Sequence, residues 1–157
     1  MIEVFREVVN SIPDKKIIIA DVKRGDISST AEHYAKAYFE VFNVDAITIN
    51  PLMGFESLHP FLDYSGKGIY TLALTSNPGA VDFLMKPFEG FETMAAYIAH
   101  QLSKLQGNHA THLGMVIGAT KTDQMKSVLQ HHPGASLLIP GIGAQGGSIS
   151  ELEKVLS

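Results

Sequence analysis

Lys16-Ile17-Ile18-Ile19-Ala20-Asp21-Val22-Lys23-Arg24-Gly25-Asp26-Ile27 is the stretch that decides the fold. It begins as a continuous run of β-branched residues, the pattern of a strand buried on both faces, as in a parallel sheet. It ends in four charges within six residues, Asp21, Lys23, Arg24 and Asp26. In a barrel, the carboxyl end of such a strand lies at the active-site mouth. Residues two apart on a regular strand share a face, so Asp21 and Lys23 are expected to point the same way. The plainer alternative is a solvated strand-end turn with an incidental ion pair.

Working outward, the unit repeats. Upstream, Ile2, Phe5, Val8, Val9 and Ile12 recur at helical intervals until Pro13 closes the segment. Downstream, Ser28, Ser29 or Thr30 is placed to cap a helix whose apolar face is Ala31, Tyr34, Ala35, Tyr38 and Phe42. Strands follow at 45–50, 68–75, 112–117 and 136–139, with helices at 56–64, 92–105, 122–131 and 150–156 between and after them. A long loop, 76–90, follows the third strand, and a glycine-rich loop, 140–147, follows the fifth. Strand–helix alternation of this kind means a parallel sheet built from βαβ units. Five strands fit either a small open α/β sheet or part of a (β/α)₈ barrel, which needs eight.

Composition narrows the function classes. The 157 residues carry 12 Lys and Arg against 16 Asp and Glu, a net charge of −4, which is not the footprint of a nucleic-acid binder. With no Cys there is no disulfide framework, thiolate metal site or cysteine nucleophile. No apolar run approaches the ~18 residues of a membrane span, and the amphipathic N-terminus lacks a signal-peptide pattern. The expectation is a soluble, cytoplasmic protein without nucleic-acid or membrane partners.

Two further loops carry candidate chemistry. Thr75-Ser76-Asn77-Pro78-Gly79 offers short polar side chains after a strand, suited to hydrogen-bonding a planar amide-bearing ligand; a simple Asn/Pro/Gly turn is the alternative. Pro140-Gly141-Ile142-Gly143-Ala144-Gln145-Gly146-Gly147 contains G-x-G-x-x-G between a strand and a helix. It falls on the last strand rather than the first, and too little sequence follows for the acidic ribose ligand of a dinucleotide site. A loop cradling a phosphate with backbone N–H groups remains. The seven His, scattered and without H-E-x-x-H, read as surface or helix-end residues, and the Met residues as packing.

Taken together, D-x-K-R-G-D-I with Thr30, Thr48-Ile49-Asn50-Pro51, Thr75-Ser76-Asn77-Pro78-Gly79-Ala80 and the Pro140–Gly147 loop resemble the orotidine 5′-phosphate decarboxylases of the longer, bacterial-type branch. The matches run in family order from residue 1 to about 150. The resemblance implies a TIM (β/α)₈ barrel of which this chain covers about five βα units, strands three to seven, as a single partial domain over 1–157. It implies decarboxylation of orotidine monophosphate to UMP, the last step of de novo pyrimidine nucleotide synthesis, with no metal or organic cofactor. Lys23 would be the general acid protonating C6. Asp21 would sit beside the departing carboxylate and hold Lys23. Asp26, with Ile27 and Thr30, would reach the site of a neighbouring subunit in a homodimer with shared active sites. Ser76 and Asn77 would meet the pyrimidine, and Pro140, Gly141, Gly143 and Gln145 the phosphate.

Those roles make physical sense. Loss of carbon dioxide leaves a poorly delocalised carbanion at C6, which a positioned ammonium stabilises and then quenches. An adjacent carboxylate favours the ammonium form. Binding energy from the distant phosphate offsets the repulsion of setting a carboxylate near Asp21. The family also has a ribose-binding Asp and a second Lys on earlier strands, and a phosphate-gripping Arg on a final one. Without them the chain as written is expected to show weak or no turnover, and its open sheet edges to favour self-association. Two alternatives stand beside this reading: a metal-dependent sugar-phosphate decarboxylase or epimerase of the same suprafamily, and a non-catalytic nucleotide-phosphate-binding fragment.

Overall fold

The computed structural model describes residues 2–107, 109–143 and 146–156. Among the described residues five α-helices and five strands follow in this order: α1 (Ile2–Ser11), β1 (Ile19–Arg24), α2 (Ser28–Lys36), β2 (Ala46–Ile49), β3 (Gly68–Leu74), α3 (Met94–Leu105), β4 (His112–Ile117), α4 (Thr122–Leu129), β5 (Ser136–Leu138) and α5 (Ile149–Leu156), with no α-helix between β2 and β3. The strand order is sequential, β1-β2-β3-β4-β5. β1 pairs β2 in parallel, and β4 pairs β5 in parallel. Sequential order belongs to barrel-type winding; a doubly wound sheet reverses direction at its switch point.

The described residues fall into two compact units, one within Met1–Tyr70 and Gly107–His112, the other within Thr71–Gln106 and Leu113–Ser157. In the first, β2 is buried along its whole length, as a two-faced parallel strand must be. β1 is not: Ile17 before it is 80% exposed and Ile19 lies partly open. The strand also starts later than the apolar run suggests, at Ile19 rather than Lys16. The Ile18 N–H is taken by the Asp45 carboxylate at 2.7 Å. α1 packs through Phe5, whose ring meets Tyr38 and Phe42 edge-on at 6.0 and 4.9 Å, and through the buried Val9. Ile2 and Val8, expected on the same apolar face, are exposed.

α2 begins without a side-chain cap, so neither Ser28, Ser29 nor Thr30 plays the expected part. It runs on through Ala37–Val41 as a π-helical turn, closed by Phe42 N–H donating to the Ala37 carbonyl at 2.9 Å. A 3₁₀ turn at Pro51–Met53 follows β2, capped by the Asn50 side chain accepting from Leu52 N–H at 3.0 Å. The segment 56–64 expected as a helix is a 3₁₀ stretch, Phe55–Phe61, with Pro60 inside it.

In the second unit β4 is buried from Leu113 to Ile117. Its partner β5 is shorter and half-buried, with Gly114, Met115 and Val116 facing Ser136, Leu137 and Leu138. α3 starts where Thr93 accepts from Ala96 N–H at 3.1 Å and buries Ala95, Ala96, Ile98, Ala99 and Leu102. α4 buries Met125 and Val128. His132 lies at a helix end as expected but is buried, not at the surface, and that burial lowers its pKa from the ordinary 6.5. Among the described residues no helix is long and apolar enough to cross a membrane.

Candidate active site

The charged end of β1 is irregular. Ile19 and Ala20 face Ala46 and Ile47, but the next aligned pair is Arg24 with Ile49, so four steps on β1 answer two on β2. Lys23 absorbs the excess with φ of +45°, a left-handed conformation costing a side-chain-bearing residue about 1–2 kcal/mol. A bulge of this kind re-aims side chains. Exposure still alternates along β1, and Asp21 and Lys23 meet on one side as expected: Lys23 Nζ lies 2.6 Å from both carboxylate oxygens of Asp21.

Thr48 holds this arrangement from β2. Its hydroxyl donates to Asp21 Oδ1 at 2.9 Å and accepts from the Lys23 N–H, also at 2.9 Å. One buried hydroxyl thus fixes the carboxylate and the left-handed backbone at once. The Asp21 carboxyl is held below its ordinary value chiefly by the hydrogen bond from Lys23; burial opposes this, and Thr48 adds to the lowering. The pair is open, with side chains 53% and 60% exposed for Lys23 and Asp21, so it contributes little to stability.

The other charges of the motif diverge. Arg24 turns to the helix side, its guanidinium 5.2 Å from the Tyr34 ring centroid and 5.9 Å from that of Tyr38. Asp26 Oδ1 accepts from Ile27 N–H at 2.9 Å, just before α2. It does not join the Asp21–Lys23 pair, the ion pair that Lys23 makes among the described residues. Ile27, at the position before α2, and Thr30 are exposed.

In the second unit Ser76 and Asn77 line an open cleft of about 550 Å³ with Pro78, Thr120 and Lys121. Asn77 also opens a 3₁₀ turn, Pro78–Asp82, without capping it. The Gly141 loop has φ of +98°, +80° and +87° at Gly141, Gly143 and Gly146, conformations open to glycine. The loop bonds to itself: Gly143 N–H donates to Gly147, Gly146 to Gly143, and Gly147 to Gly141. Of the residues expected at the phosphate, Gly143 thus has its N–H engaged internally. The Pro140 carbonyl accepts from Ala119 N–H at 2.8 Å. Gln145 lies outside the described residues.

Sequence reasoning named Lys23, Asp21, Ser76 and the Gly141 loop, but missed Thr48 and Thr120 as site-building residues. For Thr48 a signal existed: a lone hydroxyl in an otherwise apolar, fully buried strand calls for a polar partner. Among the described residues no three His, Asp or Glu side chains come together to hold a metal ion.

A sequential parallel α/β chain with a charged pair at one strand end and polar or glycine-rich loops at others is a TIM-barrel-class protein, here in about five βα units. The family follows from direct comparison. A model of the orotidine 5′-phosphate decarboxylase / HUMPS family matches residues 3–156, and the chain belongs to that family. An orotidine 5′-phosphate decarboxylase of Dehalococcoides mccartyi is 40% identical over 148 residues, covering 94% of this chain and 55% of the relative. That of Delftia acidovorans is 46% identical over 132 residues, 83% of this chain and 48% of the relative. Among solved structures, Leishmania donovani UMP synthase superposes with a TM-score of 0.87 at 36% identity, covering 95% of this chain and 33% of that one. The chain spans about half the length of the curated relatives it matches.

Proposed function

We propose that this chain carries the proton-donating part of an orotidine 5′-phosphate decarboxylase, converting orotidine monophosphate to UMP by direct protonation at C6. The observation that carries this is the Asp21–Lys23 pair: an ammonium 2.6 Å from both oxygens of a carboxylate, presented on a bulged strand end. The bond from C6 to the carboxyl carbon breaks, carbon dioxide leaves, and the electron pair stays on C6. Lys23 Nζ then gives C6 its proton and is reprotonated from water. Asp21 orients Lys23 and, beside the substrate carboxylate, raises the ground state relative to the charge-dispersed transition state.

On this reading Ser76 and Asn77 meet the pyrimidine, and Pro140, Gly141, Gly143 and Gln145 meet the phosphate. The loop's internal hydrogen bonds then preform the turn rather than donate to the anion. Asp26, Ile27 and Thr30 complete the site of a second copy in a cytoplasmic homodimer, a role suited to the exposed Ile27. Residues 1–157 form one partial barrel domain.

The test is loss of orotidine monophosphate absorbance with the full-length protein and its Lys23→Ala variant. Turnover that collapses in the variant is expected; unchanged turnover removes Lys23 from the mechanism.

A further inference from the structure

The turn after β4, Gly118-Ala119-Thr120-Lys121, carries no motif and little charge, yet it supports both loops of the second unit. Gly118 N–H donates to the Leu74 carbonyl at 2.7 Å, at the end of β3. A Cβ at Gly118 would lie 2.6 Å from the backbone nitrogen and Cα of Ser76, so only glycine lets the turn come this close. Ala119 N–H donates to the Pro140 carbonyl at 2.8 Å. Thr120 Oγ1 donates to the Ser76 carbonyl at 3.0 Å, and Lys121 N–H closes the turn on Gly118 at 3.1 Å.

We propose that Thr120 is a positioning residue for nucleotide recognition, its hydroxyl fixing the Ser76 peptide so that Ser76 is presented to the pyrimidine. The proposal rests on Ser76 being the ring-binding residue. Ser76 stands at the start of a long loop, and beyond it Asn77 is extended, with φ −71° and ψ 155°, before the Pro78–Asp82 turn. Nothing in such backbone orients a peptide plane by itself. The Thr120 hydroxyl supplies that orientation from a turn which β3 and the Gly141 loop already hold in place. Thr120 is exposed and lines the same cleft as Ser76, so its hydrogen bond serves presentation rather than the core. A peptide fixed before binding spares the ligand the entropy of ordering it.

The experiment uses the full-length protein, titrated separately with uridine monophosphate and with ribose 5-phosphate, which has the phosphate but no ring. Thr120→Val is expected to weaken uridine monophosphate about 3- to 10-fold, the equivalent of one hydrogen bond, and to leave ribose 5-phosphate unchanged. Thr120→Ser is expected to restore nucleotide affinity. Equal affinity for uridine monophosphate in Thr120→Val and wild type overturns the proposal. So does equal weakening of both ligands, the mark of general structural damage, or failure of Thr120→Ser to rescue. A wild-type protein that binds uridine monophosphate without decarboxylating orotidine monophosphate overturns the assigned chemistry but not this role. One that binds no nucleotide overturns both.

Discussion

β1 and β4 begin from similar sequence, short apolar runs in parallel strands, and end differently. β4 is regular, buried from Leu113 to Ile117, and bears no charge. β1 is bulged, exposed at alternate positions, and strained at Lys23, with a salt bridge at its end. The contrast separates two duties. A strand that holds the sheet together uses every side chain for packing. On the proposed reading β1 presents reactive groups, and it frees their side chains from packing with extra residues that its neighbour does not match.

The contrast is sharpest for two truncations. Lys23→Ala should lower the turnover number of the full-length protein by about 10²- to 10⁴-fold, the range for removing a positioned acid and its charge. Its urea midpoint should hardly move, because exposed pairs contribute about 0–1 kcal/mol. Met115→Ala in β4 should do the reverse, losing about 2–5 kcal/mol of unfolding free energy because Met115 is fully buried. A Lys23 variant that unfolds, or a Met115 variant of undiminished stability, would erase the division of labour.

Thr48→Val probes the joint between strand and site. It keeps the volume and removes the hydroxyl shared by Asp21 and Lys23. We expect roughly a tenfold fall in turnover, about the equivalent of one charge-assisted hydrogen bond. A variant as active as wild type would show that the bulge holds the pair unaided.

The smallest effect is pH dependence in the second unit. Burial lowers the pKa of His132 below the ordinary 6.5, so between the two values the unfolded chain binds more protons than the folded one. Stability should therefore decline as pH falls below about 6.5 towards the lower folded value. His132→Leu should flatten this part of a melting-temperature profile. Asp21 acts lower: its depressed pKa adds stability above the ordinary 3.8, lost as pH falls through the folded value. A profile that His132→Leu leaves unaltered would assign the acid response elsewhere.

Much of this was legible in the residues. The five βα units follow from apolar runs, caps and glycine punctuation, and Thr93 capping α3 lies one residue from the expected helix start. The segment after β2 was misread because Pro60 and the Asn50-Pro51 start favour 3₁₀ geometry over a full helix. The cap of α2 was misread because a side chain able to cap does so only if the entering backbone aims it at the free N–H groups. The strand start was misread because β-branched residues mark what fits a sheet, not where a partner begins.

Charge, residue type and order along the chain singled out Lys23, Asp21, Ser76 and the Gly141 loop as candidates, since charged, polar or glycine-rich ends of apolar strands leave a local signature. Tertiary structure alone decided how they are held: a register shift at the end of β1, a Thr48 hydroxyl arriving from the next strand, and a turn after β4 braced against Ser76. Such supports consist of backbone groups and small side chains, whose partners lie tens of residues away and leave no period in the sequence.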